Sequence, residues 1–130
     1  MALDQYGGLD VSCVAENTMV AKQFYAVELS GADLQVDIPD NAGDLVFGVV
    51  QNKAPAGAAV TVRVMGITKW ISDGSGTAIT VGARLGTNNA GKCVVKATDT
   101  NLLAGIALSA SSADGTIIDV LLTPGVMLAG

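Results

Sequence analysis

The stretch VFGVVQNKAPAGAAVTVRVMG, residues 46–66, decides the fold that this sequence predicts. It begins with an apolar run, passes through a turn-rich segment, and continues as an alternation of apolar and polar residues that stops at a glycine. Residues 103–125, LAGIALSASSADGTIIDVLLTPG, follow the same order. The glycines that align between the two stretches are Gly48 with Gly105, Gly57 with Gly115, and Gly66 with Gly125. The repetition indicates either an ancient duplication or two buried hairpins of one small barrel that need glycines at the same positions.

Alternating and continuous apolar runs predict strands along most of the chain. The predicted strands are residues 24–29, 34–38, 45–50, 60–64, 93–97, 102–108 and 116–122. The first two form a hairpin around the turn at 30–33, and the continuous runs 45–50 and 102–108 are typical of strands buried on both faces. The predicted fold class is therefore all-β: a single compact small β-barrel or sandwich of short strands, with little or no helix.

Two boundaries stay open in this pattern. Residues 1–22 lack a clean period, and we interpret them as an extended N-terminal arm with at most one short strand, ahead of a barrel-like domain spanning 23–130. At Gly66 the alternation either continues, which places Thr68 and Trp70 on the valine face, or slips by one residue at a bulge. A slip would place Ile67, Lys69 and Ile71 on that face instead.

Composition excludes several classes of function. The chain has 130 residues, of which 50% are apolar and 4% aromatic, and its net charge is −5. Residues 1–44 hold eight acids and one base, or −7, and residues 45–130 hold four acids and six bases, or +2. Neither part shows the clustered Lys/Arg face of a nucleic-acid-binding protein. The acidic first third either faces a basic protein surface or is simply solvated.

Targeting signals are not apparent in the sequence. The opening residues MALDQYGGLD have neither the basic nor the apolar region of a secretory signal. No apolar stretch approaches the ~18 residues that a membrane span needs. We therefore expect a soluble protein made in a cytoplasm, without membrane partners.

Catalytic chemistry is poorly represented. There is no histidine, which removes the commonest general base and metal ligand. Cys13 and Cys93 match no metal or redox spacing, and we expect two idle buried thiols. Asp40 and Asp44 suit a turn, and the DGSG sequence at 73–76 is also a turn because no helix is predicted after it. We therefore predict no enzyme activity, no cofactor, no metal and no small-molecule substrate.

Short motifs, most of which contain a glycine, follow one another between residues 48 and 108. They are Gly48-Val49-Val50-Gln51, Ala56-Gly57, Val60-Thr61-Val62, Gly82-Ala83-Arg84-Leu85, Ala90-Gly91-Lys92 and Gly105-Ile106-Ala107-Leu108. Their order and spacing over about residues 23–125 resemble the small phage capsid cement, or head decoration, proteins. The resemblance implies a homotrimeric virion protein that is made in the host cytoplasm. It would bind the outer capsid surface and clamp neighbouring subunits of the major capsid protein, with no catalytic residues.

Seven residues are candidates for contacts with the capsid or within a trimer. They are Leu3, Tyr6, Leu9 and Val11 in the predicted arm, Trp70, and Asp73 and Ser75 in the turn at 72–77. Trp70 also fits a core position, because a lone tryptophan serves both in cores and at interfaces. The alternative function is a non-enzymatic binding module for carbohydrate or a receptor on a phage tail or fibre. Such a module needs exposed aromatic side chains, and five aromatic residues supply few.

Overall fold

The computed structural model describes residues 7–96 and 103–123, and these residues form strands and turns without a helix. The strands are β1 Gly8–Ala15, β2 Ala26–Leu29, β3 Gln35–Asp37, β4 Gly48–Val50, β5 Ala59–Asp73, β6 Arg84–Thr87, β7 Cys93–Val95, β8 Gly105–Ala107 and β9 Asp114–Leu122. The predicted all-β fold is confirmed. The hairpin of β2 and β3 and the buried strand β4 also lie where the sequence placed them.

The strands close into two small rings that share β5. The first ring runs β1-β3-β2-β4 and closes through the N-terminal half of β5, residues 59–66. The second ring runs from the C-terminal half of β5, residues 66–73, through β7-β6-β8-β9 and back to β5. Each ring therefore has five strands, and β5 at 15 residues is long enough to serve both. Each strand therefore pairs with a neighbour on both sides over at least part of its length, which shortens the exposed edges that favour edge-to-edge association.

The two rings are copies of one plan, related by a shift of 57 or 58 residues. In the first ring Val50 pairs with Val62, and in the second Ala107 pairs with Val120 at the equivalent place. The order of strands is also the same, since β1-β3-β2-β4-β5 in the first ring corresponds to β5-β7-β6-β8-β9 in the second. Two independent hairpins would not require the other three strands to match, so the structure favours the duplication interpretation.

The single parallel contact of each ring confirms this equivalence. Ala15 of β1 pairs with Val36 of β3, and Ser72 of β5 pairs with Cys93 of β7, each 57 residues further along. Parallel neighbours in a small antiparallel barrel are uncommon, because they need a crossover connection rather than a tight turn. Their occurrence at the same point of both rings shows that the whole half-chain is repeated, beyond the two stretches that share glycines.

Gly48 and Gly105 occupy equivalent positions where two backbones touch. A Cβ atom on Gly48 would lie 2.4 Å from the carbonyl oxygen of Arg63, and one on Gly105 would lie 2.5 Å from that of Leu121. Neither distance is compatible with a side chain. The conserved spacing of these glycines in the two stretches is thus explained by a close strand approach that each ring makes at the same place.

Alternation along β5 continues through Gly66. Thr68 and Trp70 are buried, as Val60 and Val62 are, so the strand keeps one inward face as it passes from the first ring to the second. Gly66 has φ +102°, and a Cβ there would meet the Gly7 carbonyl oxygen at 2.6 Å. Glycine is needed at this crossing because an L side chain would be strained by the backbone and blocked by β1.

Each ring encloses its own apolar core. The first-ring core consists of Cys13, Ala15, Met19, Val27, Val36, Val50, Ala54, Val60 and Val62. The second-ring core consists of Ala26, Val49, Trp70, Ile79, Leu85, Cys93, Ala104, Ala107, Ile118, Val120 and Leu122. Ala26 and Val49 belong to strands of the first ring but pack in the second core, so this shared packing joins the two rings into one body.

The interpretation of residues 1–22 as an arm needs correction for residues 8–22. β1 pairs with β5 over seven residue pairs and with β3 in parallel, and Cys13, Ala15 and Met19 are buried. The strand closes the first ring. Its period was interrupted in the sequence by Val14, which points outward despite being apolar and is 41% exposed. Residues 1–6 lie outside the described part of the chain.

Candidate interaction surfaces

The cysteines carry no sign of reactive chemistry. Cys13 and Cys93 are both free thiols and both buried, one in each core. Burial raises the pKa of the Cys93 thiol to about 12 and also raises the pKa of Cys13. Both side chains are therefore protonated at neutral pH, and a protonated thiol is a poor nucleophile and a poor metal ligand. Their role is core packing, as the sequence predicted.

No cluster of three or more His, Cys, Asp or Glu side chains with metal-binding geometry occurs within residues 7–96 and 103–123. In the same residues, no helix has the length and apolar character needed to cross a membrane. The features that remain for function are surfaces, and three of them stand out: a groove between the rings, the loop after β5, and apolar side chains on the outside.

The groove lies at the junction of the two rings and has a volume of about 640 Å³. Its walls are mostly apolar and come from β2, the segment leading into β4, β5, the segment leading into β8, and the end of β9. The lining residues are Glu28, Leu29, Asp44, Leu45, Val46, Phe47, Gly48, Val64, Leu103, Ala104, Leu122 and Thr123. Leu29 and Leu45 are about half exposed, at 54% and 50%, which leaves apolar surface open to solvent.

Glu28 and Asp44 are the charged residues among those that line the groove. Partial burial of Glu28, a hydrogen bond with the Asp44 carboxyl, and repulsion from Asp44, Asp40 and Asp37 raise the pKa of Glu28 to about 7. Glu28 therefore keeps its proton to a higher pH than an isolated glutamate, and its protonated form can donate a hydrogen bond to the Asp44 carboxyl group. Sequence reasoning missed this pair because Glu28 sits 16 positions from Asp44 and looks like any outward residue of a hairpin.

The candidate contact residues do not gather at one place. Leu9 is exposed and pairs with Met65 of β5, whereas Asp73 lies at the far end of the same strand and pairs with Asp114. The eight residue steps from Met65 to Asp73 span roughly 26 Å in an extended strand. Val11 is half-buried against the first-ring core. Leu3 and Tyr6 lie outside the described residues.

Trp70 is a core residue and cannot anchor a partner. Its side chain is fully buried in the second ring, and the indole N–H donates a hydrogen bond of 2.9 Å to the carbonyl oxygen of Gly91. A buried tryptophan normally finds such an acceptor, because an unpaired indole N–H in a core is costly. Of its two readings from sequence, the core position is the one that the structure shows.

Asp73 and Ser75 form a local turn after β5. The Asp73 carboxylate accepts hydrogen bonds from the backbone N–H and the hydroxyl of Ser75, at 3.1 and 2.5 Å. The Ser75 hydroxyl and backbone donors lower the pKa of Asp73. This is the turn chemistry that the sequence predicted, and it presents an ordered, solvent-exposed loop.

Contact between the two rings identifies a pair of complementary surfaces. On the first ring, Ala26 donates its N–H to the Gly91 carbonyl oxygen at 2.8 Å. On the second ring, Ile71 donates its N–H to the Phe24 carbonyl oxygen at 2.9 Å. Val49 lies beside Ala26 in register and is likewise covered. The first ring therefore contributes the outer side of β2 and β4, and the second contributes β5 and the turn before β7.

The equivalent positions on the other side of each ring are open. Arg84 and Ile106 of the second ring correspond in register to Ala26 and Val49, and both are exposed. Leu34 and Val14 of the first ring correspond to Gly91 and Ile71, and are 51% and 41% exposed. Leu34 also has φ +51°, an unusual conformation for leucine that matches the +81° of Gly91.

A model of the phage cement protein family matches residues 4–122 of this sequence. The chain belongs to the phage cement protein family. The match spans both rings and includes β1, so the family pattern covers most of the segment first interpreted as an arm. A search of curated proteins gave no match to this cement protein.

A solved structure similar to this cement protein is described as "The crystal structure of head fiber gp8.5 N base in bacteriophage phi29". The two chains superimpose with a TM-score of 0.60 and 16% sequence identity, and the alignment covers 92% of this chain and 97% of that one. At this identity the similarity shows a shared fold. The head-fibre base and this cement protein therefore use the same arrangement of strands over nearly their whole lengths.

Proposed function

We propose that this cement protein decorates the outside of an assembled phage head and stabilises contacts between subunits of the major capsid protein. The observation that carries the proposal is the family match over residues 4–122, which includes all nine described strands. A protein that binds the assembled shell but not the separated subunits stabilises the shell by mass action. Such a role needs a rigid body with exposed contact surfaces, and two closed rings joined by a shared strand are suited to it.

The proposal includes assembly as a homotrimer. In a head-to-tail arrangement, the open Arg84–Ile106 side of one copy meets the open Leu34–Val14 side of the next. Each contact would then repeat the one that already joins the two rings of a single chain. A head-to-tail contact closes into a ring when the rotation per copy allows it, and three copies give threefold symmetry. Three identical sets of capsid contacts also add through effective concentration.

Charge distribution supports the same arrangement. Residues 1–66, which contain the first ring, hold eight acids and three bases, or −5, whereas residues 67–130 hold four acids and four bases, or zero. A contact between a first ring and a second ring involves less charge repulsion than a contact between two first rings. The trimer is tested by analytical ultracentrifugation of Ile106→Asp and Leu34→Asp. We expect both to be monomers while Val81→Asp, at a more exposed position outside these two faces, stays trimeric.

Contacts to the shell are assigned to the two ends of β5. Leu9 lies at one end, and the ordered turn of Asp73 and Ser75 lies at the other. Both present exposed side chains beyond the ring walls. Trp70 is no longer part of this set because it is buried.

The proposed function is tested by mixing purified protein with undecorated capsids. We expect the protein to co-sediment with capsids, to appear on their outer surface by cryo-electron microscopy, and to raise the temperature at which they disassemble. It should bind isolated capsid protein subunits far more weakly. Absence of binding to capsids, or equal binding to subunits, would contradict the proposal.

A further inference from the structure

The groove between the rings has the composition of a protein-binding site. Its walls combine exposed leucines, Leu29 and Leu45, with better buried side chains such as Leu122 at its floor. At 640 Å³ it can hold several side chains of an extended peptide segment. An open apolar concavity of this kind on a soluble protein normally marks a contact site.

The carboxyl pair gives the groove a chemical preference. Glu28 and Asp44 line it together, while none of the described residues that line it is basic. The two groups repel when both are ionised, and Asp40 and Asp37 add to that repulsion. A lysine or arginine side chain placed between them would remove the repulsion and form charge-assisted hydrogen bonds with both.

The chain itself offers no base for this position from the neighbouring segments. Residues 97–102, which precede Leu103 in the groove wall, have the sequence ATDTNL, and residues 124–130, which follow Thr123, have the sequence PGVMLAG. Neither contains lysine or arginine. Neither segment beside the groove therefore supplies the cation that the carboxyl pair would bind, and we look for it on a partner protein.

We infer that the groove binds a segment of the major capsid protein in which a lysine or arginine is flanked by apolar side chains. The inference rests on the proposed function. The apolar residues of the segment would lie against Leu29, Leu45 and Leu122, and its cation would lie between Glu28 and Asp44. Binding then releases the proton of Glu28.

Proton release gives this contact a pH signature. Because Glu28 has a pKa of about 7 in the free protein, a cation that displaces its proton binds about tenfold more tightly at pH 8 than at pH 6. The experiment measures binding of wild-type protein to undecorated capsids at both pH values. The expected result is a rise of about tenfold in affinity.

Matched variants locate the effect. Glu28→Gln and Asp44→Asn each keep the side-chain shape and remove one charge, and we expect either to weaken capsid binding at pH 8 about tenfold and to abolish the pH dependence. Asp33→Asn removes the same charge in the β2–β3 turn outside the groove and should bind like wild type. Leu45→Ser should also weaken binding, whereas Val81→Ser should not.

The outcomes separate this inference from the proposed function. If wild-type protein binds capsids but the groove variants bind equally well at both pH values, the groove inference is overturned and the decoration function stands. If wild-type protein does not bind capsids, the proposed function itself fails. If the groove variants lose trimers in ultracentrifugation, or if removal of residues 124–130 restores their binding, the occupant is a second copy or the chain's own end, and the inference is likewise overturned.

Discussion

The two rings of this cement protein share strand order and register but fill their equivalent positions with different side chains. Cys13 pairs with Val60 inside the first ring, and Trp70 pairs with Ile118 at the same place in the second. A thiol and an indole differ several-fold in volume, yet both are fully enclosed. The same strand arrangement can therefore enclose core side chains of very different volume.

The outer faces differ as well. Asp10 of β1 forms a two-pronged salt bridge with Arg63 of β5 in the first ring, at 2.8 and 3.1 Å. The equivalent pair in the second ring is Ile67 and Leu121. The same strand arrangement therefore carries a charged cross-strand pair on the first ring and an apolar pair on the second. The two halves of the protein consequently have chemically different outer surfaces.

The largest expected effect comes from emptying the second core. Trp70→Ala should lower the free energy of unfolding by about 3–5 kcal/mol, because it leaves a large cavity and the Gly91 carbonyl without its indole donor. The equivalent change in the first ring, Cys13→Ala, removes one sulfur atom and should cost about 1 kcal/mol. Chemical denaturation of both variants measures the difference. Equal costs would show that the two cores are not separately packed.

Replacing the glycine at the close strand approach should destabilise the protein by a similar amount in both rings. Gly48→Ala and Gly105→Ala each place a Cβ within 2.5 Å of a carbonyl oxygen, so each should cost about 1–3 kcal/mol as the strands move apart. Gly76→Ala, where nothing lies within 4 Å, is the matched control and should be neutral. A large difference between the first two variants would contradict the equivalence of the rings.

Exchanging the outer pair of the first ring for that of the second sharpens the comparison further. Asp10→Ile alone should cost about 1–2 kcal/mol, because Arg63 is only 17% exposed and loses its partner. Adding Arg63→Leu should recover most of that loss, since the apolar pair already works in the second ring. A double-mutant cycle measures the coupling, and a double variant worse than the sum of the singles would argue against interchangeable faces.

The smallest expected effect concerns Glu28 and depends on pH. Its pKa is raised to about 7, so the folded protein holds this proton more tightly than the unfolded chain, and the associated stability is present below about pH 4.5 and lost as pH rises through 7. Glu28→Gln should therefore raise stability at pH 8 by about 1 kcal/mol, after allowance for solvent screening, and leave it unchanged at pH 4.5. Thermal melts across this range measure the difference. No gain in stability at pH 8 would mean that the ionised Glu28 side chain does not destabilise the folded protein.

Sequence reasoning placed most strands correctly where local pattern was strong. Gly48 within a continuous apolar run predicted a buried strand with either a bulge or a close backbone approach, and the structure shows the buried strand and the close approach. It failed for β1, where the outward Val14 breaks the alternation. It also could not find the Glu28–Asp44 pair or the Asp10–Arg63 bridge, since both join residues that are distant in the chain and meet only through strand register.

The sequence by itself determined the all-β class, the positions of the turns and the repeat of glycines, because these depend on periodicity and on backbone conformations that neighbouring residues impose. The absence of histidine likewise excluded a histidine general base and a histidine metal ligand before the fold was known. Only the tertiary structure decided that the repeat builds two closed rings around a shared strand, that Trp70 is core, and that two acids meet in an apolar groove. Those features depend on which strands pair and in which register, and pairing is settled by the burial of all strands together rather than by any one of them.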